Sequence, residues 1–234
     1  LLARFKREVA LNRRIKHPNV ARMFDYGIAG DYPFIAMELI DGDDLWTLIG
    51  RRQRYPAAEA VPIVRQIARG AAAIHRLGIL HRDLKSQNVI VDRQGAAVIL
   101  DFGLARGAFD PGLTMASVLL GTPQYMSPEQ ALGDALDERA DLYSIGVIAW
   151  EMLAGRTPFQ GESPVATAML HVTEPLPDLR DLAPGLPPDL FAVLTRVLAK
   201  KREERFASAL ELDDALALCD TGPAAPLPEK RLLP

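Results

Sequence analysis

A single cysteine, Cys219, is the only thiol in this 234-residue chain. One cysteine excludes an internal disulfide framework and a cysteine zinc cluster. It fits a reducing, cytoplasmic compartment, where Cys219 reads as a free thiol on a helix. Long apolar runs are missing as well. The longest, Leu142 to Gly155, contains Glu151 and falls short of the roughly 20 residues that cross a bilayer. No membrane segment is expected in this chain. Charge of one sign is scarce too: 27 Lys+Arg stand against 30 Asp+Glu, net −3. Basic patches such as Arg51-Arg52-Gln53-Arg54 are short, which argues against a nucleic-acid partner. An initiating Met is also absent. The chain opens at Leu1 inside a helical pattern and reads as a piece of a longer polypeptide, compatible with the cytoplasmic part of a membrane-tethered protein.

What is present is a half-apolar composition, 49%, enough for one large domain or two lobes sharing a cleft. Leu2, Phe5 and Val9, with Leu11 and Ile15 beside them, predict an amphipathic helix over residues 1–15. His17-Pro18-Asn19 ends it, since the residue before proline leaves the helical region. Strands are expected over 20–26 and 33–40 with a turn near Gly30-Asp31, then a turn and helix start at Asp41-Gly42-Asp43-Asp44. A long helix over 57–77 stops at Gly78. Val89-Ile90-Val91 and Ala97-Val98-Ile99-Leu100 flank turn residues and predict a hairpin. Residues 141–154 are apolar nearly all round and predict a buried helix, and a last helix falls near 207–219. Thr221 to Pro234 carries four prolines and reads as a linker.

The run His81-Arg82-Asp83-Leu84-Lys85-Ser86-Gln87-Asn88 gathers unusual chemistry. Asp83 can accept a proton from an attacking hydroxyl. Lys85, two residues on, can point to the same side of an extended loop and suits a phosphate. Asn88 offers a neutral amide oxygen and Asp101 a charged one for a hard cation such as Mg²⁺. The hairpin between them folds the two ligands together, and Gly103 permits a sharp turn after Asp101-Phe102. A proton acceptor, a cation and paired metal ligands are what phosphoryl transfer from ATP requires.

His81-Arg82-Asp83…Asn88 followed by Asp101-Phe102-Gly103 resembles the signature set of eukaryotic-type serine/threonine protein kinases. Ser127-Pro128-Glu129-Gln130-Ala131 and Asp141-Leu142-Tyr143-Ser144-Ile145-Gly146-Val147 resemble bacterial members most. The resemblance covers all but the tail. It implies an α+β, bilobal fold: a partial small lobe over 1–40 (a helix and two strands), a mainly helical large lobe over 41–219, and a Pro-rich tail over 220–234. It implies transfer of the ATP γ-phosphoryl group to Ser/Thr hydroxyls of proteins, with ATP and Mg²⁺ or Mn²⁺ as cofactors and dimerisation for autophosphorylation. Residue by residue, Asp83, Lys85 and Thr122 carry catalysis, and Asn88 and Asp101 hold metal. Glu8 matches the helix glutamate that pairs with an ATP-binding lysine. Met37 matches the gatekeeper, Glu38 and Ile40 would meet adenine through their backbones, and Asp44 would reach the ribose or else cap a helix. Arg82 implies a basic pocket for a phosphorylated segment, with Thr114 and Ser117 as candidate sites. Glu129 is expected to pair with Arg205, Asp141 to hold the catalytic-loop backbone, and His81 to pack beneath Phe102. His17, His75 and His171 read as structural or exposed, and Trp150 and Met152 as core.

Three departures stand beside this. No Gly-rich loop and no strand lysine of the Val-Ala-Ile-Lys type is present, as though roughly 50 residues of the small lobe lay upstream. Asn12 stands where the family packs an apolar residue, and Ser86 replaces a common proline. An active kinase completed by an unseen segment, a non-catalytic scaffold, and a small-molecule phosphotransferase with a kinase-like core are all open at this stage. The intact Asp83, Asn88 and Asp101 favour the first.

Overall fold

The structure, a computed structural model, describes residues 13–29, 32–100 and 122–222. The expected helix over 1–15 therefore lies almost wholly outside the described residues, as do Asn12 and most of the tail.

The described part is mixed α/β, mostly helical, with two small sheets. Strands β1 (Met23–Ala29) and β2 (Tyr32–Met37) form an antiparallel pair, with an irregularity between Met23 and Asp25. The second sheet has the order β3-β4-β5, from Gly42–Asp44, Val89–Asp92 and Ala97–Ile99. The predicted hairpin is the β4/β5 pair. The stretch at Asp41–Asp44 is corrected: Gly42–Asp44 is a strand paired with β4, and the helix begins only at Leu45. Three residues are too few for a period-2 pattern to reveal a strand.

Helix α1 (Leu45–Arg52) follows directly, then α2 (Ala57–His75). Gly78, at φ +69°, turns the chain after α2 in a region costly for other residues. The loop at residues 17–19 packs against α2 and β5. Ile99 N–H donates to the Asn19 carbonyl at 2.9 Å and Ala21 N–H to the Ile99 carbonyl at 2.9 Å. Asn19 Nδ2 donates to the Ala97 carbonyl at 2.8 Å. A Cβ on Gly70 of α2 would sit 2.6 Å from the Asn19 carbonyl, so the close approach needs glycine. His17 shapes this loop by accepting the Asn19 N–H at 3.2 Å.

Later come α3 (Pro128–Leu132), α4 (Glu138–Ala154), α5 (Pro164–Thr173), α6 (Leu179–Leu182), α7 (Pro188–Val197) and α8 (Ala209–Ala217). Helix α4 is buried continuously from Ala140 to Leu153 and is the axis of the core, with Trp150 and Met152 inside as expected. Leu45, Ile67, Ile74 and Phe206 pack in the same cluster. His171 on α5 is fully buried, with Nδ1 2.9 Å from the Tyr143 hydroxyl and its ring edge-on to Phe159. Cys219 is a free thiol but lies past the end of α8, not on a helix. Among the described residues no helix is long and apolar enough to cross a membrane.

Candidate active site

Two of the three residues predicted to carry catalysis lie on the loop before β4, and the third meets them from the segment before α3. Lys85 Nζ donates to Asp83 Oδ2 at 2.8 Å and to Thr122 Oγ1 at 2.9 Å. The Lys85 and Asp83 side chains keep 21% and 34% of their accessible surface, so the ion pair is reachable from solvent rather than sealed in the core. Asn88 closes a short 3₁₀ turn, Ser86–Asn88. Its Nδ2 donates to the Asp83 carbonyl at 2.9 Å, which turns the amide oxygen to the opposite side. Leu100 N–H donates to the Asn88 carbonyl at 2.8 Å, so the β4/β5 hairpin brings the residue before Asp101 back to Asn88. Asp101 and Phe102 lie outside the described residues, as do Glu8, Thr114 and Ser117.

The loop backbone is forced into shape. Arg82 has φ +64°, the left-handed region that non-glycine residues avoid at about 1 kcal/mol or more. Three ties hold it there. Asp141 Oδ2 accepts the His81 N–H and Oδ1 the Arg82 N–H, each at 2.8 Å. The Arg82 carbonyl accepts Gln130 Nε2 at 2.9 Å. Asp141 is 1% exposed and also meets His75 Nε2 at 2.8 Å. Burial pushes the Asp141 carboxyl up, but the His75 hydrogen bond, the neighbouring His75 and His81 rings and the His81 N–H outweigh it. The net shift is below the ordinary value. His81 Nδ1 accepts the Asp83 N–H at 3.3 Å, which leaves Nε2 to donate to the Leu100 carbonyl at 2.9 Å. His81 is structural, as expected, though its packing beneath Phe102 falls outside the described residues. His75 is structural, with its side chain only 5% exposed.

Glu129 and Arg205 form the expected pair. Arg205 Nη1 and Nη2 donate to Glu129 Oε1 and Oε2 at 2.7 and 2.8 Å. The remaining donors go to the carbonyls of Ala199, Arg139 and Lys200. All five guanidinium N–H groups are thereby used, and the Arg205 side chain is 0% exposed.

The residues expected near a nucleotide are less gathered. Met37 ends β2 and is half-buried, and Ile40 is half-buried beyond it. Glu38 N–H donates to the Arg22 carbonyl at 2.8 Å. Asp44 is the N-cap of α1: Oδ1 accepts the Thr47 N–H at 2.8 Å and Oδ2 the Thr47 hydroxyl at 2.7 Å. The capping alternative is thus realised in this structure.

Sequence reasoning missed Gln130 and a buried trio. Ser86 Oγ lies 2.8 Å from Tyr125 Oη, which donates to Glu151 Oε2 at 2.7 Å. Burial pushes the Glu151 carboxyl up, against the Tyr125 hydrogen bond that lowers it. Glu151 was visible as the one charge within the apolar run Leu142 to Gly155, and that was the available signal for the trio.

Residues 2–215 match the protein kinase domain family. A serine/threonine-protein kinase pkn2 of Myxococcus xanthus is 42% identical over 92% of this chain and 27% of its own length. PknB of Mycobacterium leprae is 37% identical over 95% of this chain and 37% of its own. PknD of Mycobacterium tuberculosis is 38% identical over 90% of this chain and 32% of its own. The chain thus spans about a third of the length of these relatives.

Proposed function

The chain belongs to the protein kinase domain family, and from that premise we propose that it transfers the γ-phosphoryl group of ATP to serine and threonine hydroxyls of proteins. The observation that carries this reading is the Lys85 ammonium held between the Asp83 carboxylate and the Thr122 hydroxyl. The relatives named serine/threonine-protein kinases support the choice of acceptor.

Each group has a task. The Asp83 carboxylate orients the substrate hydroxyl and accepts its proton. The Lys85 ammonium places positive charge beside the moving phosphoryl group, and the Thr122 hydroxyl steadies that ammonium. Asn88 fits a hard cation, because its amide nitrogen is committed to the Asp83 carbonyl and its oxygen is presented on the other side. Asp101 is the charged partner proposed for the same cation. When bound, ATP with Mg²⁺ or Mn²⁺ supplies the phosphoryl group and neutralises the triphosphate. Met37, the Glu38 and Ile40 backbones and Asp44 are proposed to line the nucleotide site, with Glu8 facing its lysine. Arg82, Phe102, Thr114 and Ser117 are proposed for control by autophosphorylation, which a dimer would perform in trans. The two small sheets and helical body are compatible with a bilobal division into a small-lobe remainder (1–40), a large lobe (41–219) and a linker (220–234).

The test is ³²P transfer from ATP–Mg²⁺ to a generic protein substrate by the full-length protein carrying this chain. Asp83→Asn should lower kcat by about 10²–10⁴-fold. Equal incorporation by wild type and variant would refute the assignment.

A further inference from the structure

Ser86 sits between Lys85 and Asn88 as the first residue of the 3₁₀ turn, and it is fully buried. The single Tyr125 hydroxyl proton goes to Glu151 Oε2 at 2.7 Å, so at the 2.8 Å contact the Ser86 hydroxyl is the donor and Tyr125 Oη the acceptor. The result is a directional chain, serine to tyrosine to carboxylate, enclosed in the core. Tyr125 is held at its other end as well, since its carbonyl accepts the Ser144 hydroxyl at 2.8 Å. Tyr125 N–H donates in turn to the Thr122 carbonyl at 3.2 Å. Thr122 Oγ1 meets Lys85 Nζ at 2.9 Å. Lys85, Thr122, Tyr125 and Ser86 therefore close a ring with two links between the catalytic loop and the segment before α3. One link is the functional contact of Lys85. The other is the buried hydroxyl of the very next residue.

We infer that Ser86 is a positioning residue, whose hydroxyl, through Tyr125, sets where the Thr122 segment stands relative to Lys85 and Asp83. The inference rests on the phosphotransfer reading above, because positioning has meaning only for groups that act together. A shift of the Thr122 segment by a fraction of an ångström would lengthen the Lys85–Thr122 contact and release the ammonium from its place beside Asp83. The nucleotide-site residues Met37, Glu38 and Ile40 lie on other elements and are not part of this ring.

The experiment compares wild type, Ser86→Ala, Ser86→Pro, Tyr125→Phe and the Ser86→Ala/Tyr125→Phe double variant in the full-length protein. Proline is tolerated at the first position of a helical turn, so Ser86→Pro removes the hydroxyl while keeping the turn. The readouts are kcat and KM for a protein substrate, KM for ATP, the melting temperature, and hydrogen exchange at the Tyr125 and Met126 amides. Loss of this hydrogen bond should lower kcat about three- to ten-fold in both Ser86 variants, with KM for ATP unchanged and faster exchange at Tyr125 and Met126. The double variant should be no slower than Tyr125→Phe alone, because both substitutions break the same chain. Unchanged kcat, effects that multiply, or a loss recovered in full by assaying further below each variant's melting temperature would overturn the inference. A silent wild type would refute the proposed phosphotransfer instead. The exchange measurement then decides by itself, and unaltered exchange in Ser86→Ala overturns the positioning role.

Discussion

Substituting Glu129 with Gln removes one charge and almost no volume from a place that water cannot reach to compensate. Glu129 is 6% exposed and Arg205 2% exposed. Arg205 places two of its five N–H donors on the carboxylate and the other three on main-chain carbonyls. After the substitution the guanidinium keeps its three carbonyls and gains only one neutral acceptor, while the new amide N–H group points at a donor. Removing one partner of a buried ion pair costs about 3–5 kcal/mol, because the remaining charge is left uncompensated. The surviving acceptor places the expected loss near the lower end, about 3 kcal/mol. For a chain of this length 1 kcal/mol moves the melting temperature by about 2–4 °C, so the midpoint should fall by about 6–12 °C. Arg205→Lys keeps the charge but not the two-pronged geometry, and should lose about 2 kcal/mol. A Glu129→Leu/Arg205→Met double variant should be more stable than either Glu129→Leu or Arg205→Met alone, since no charge is stranded. Urea and thermal unfolding can be followed by fluorescence, with Trp150 fully buried in the folded state. A Glu129→Gln variant within about 1 kcal/mol of wild type would refute the reasoning.

Three further outcomes are expected. His171, ordinarily 6.5, is held down to about 3 by burial first and by the Lys200 charge second, with a Gln124 backbone hydrogen bond opposing; the unfolded chain therefore takes up a proton that the fold refuses. Stability should fall as pH drops from 6.5 towards 3 by at most about 1.4 kcal/mol per unit from this group, and His171→Asn should flatten the slope in urea melts; identical slopes would exclude it as the cause. Asp141 has the opposite position, a carboxyl held below its ordinary 3.8, so its contribution is present above that value and lost as pH falls through the lower folded value; the stability gap between wild type and Asp141→Asn should close only below about pH 4, and a gap that closes near neutrality contradicts it. Lys85→Met should lower kcat by about 10²–10³-fold while leaving the melting temperature nearly unchanged, because the group is partly exposed; a large thermal shift would reassign Lys85 to the framework.

The parts that could be read in advance are those where one residue type answers one need. The α4 core helix showed as a run without a polar face, and its placement at Glu138–Ala154 follows. The β4/β5 hairpin showed because turn residues interrupt two apolar runs. Asp83, Lys85 and Asn88 showed because their order is chemically unusual, and the loop does bring them together. The illegible parts depend on partners distant in sequence. Strand β3 exists only because β4 lies beside it. Asp44 is committed to Thr47, and nothing in its immediate sequence chose between cap and ligand. Gln130 and Tyr125 carry no local mark of their roles, since their bonds run to Arg82, Ser86 and Glu151 across 26 to 48 positions of chain.

Asp141, Ser144 and Glu151 fall on one face of α4, at spacings close to whole turns. Through them this buried helix holds the 81–88 loop: Asp141 grips His81 and Arg82 directly, while Ser144 and Glu151 both hold Tyr125, which meets Ser86. A loop moored to the core in this way cannot be slackened without melting the core, so it is ill suited to act as the part that switches. Inputs that start or stop this protein would have to work on what is delivered to the loop, namely the groups arriving from elements not tied to α4. The same mooring makes the loop a poor target for graded tuning and a good one for inactivation: a lesion deep in α4, far from any nucleotide, would erase the site's geometry as completely as the loss of Asp83.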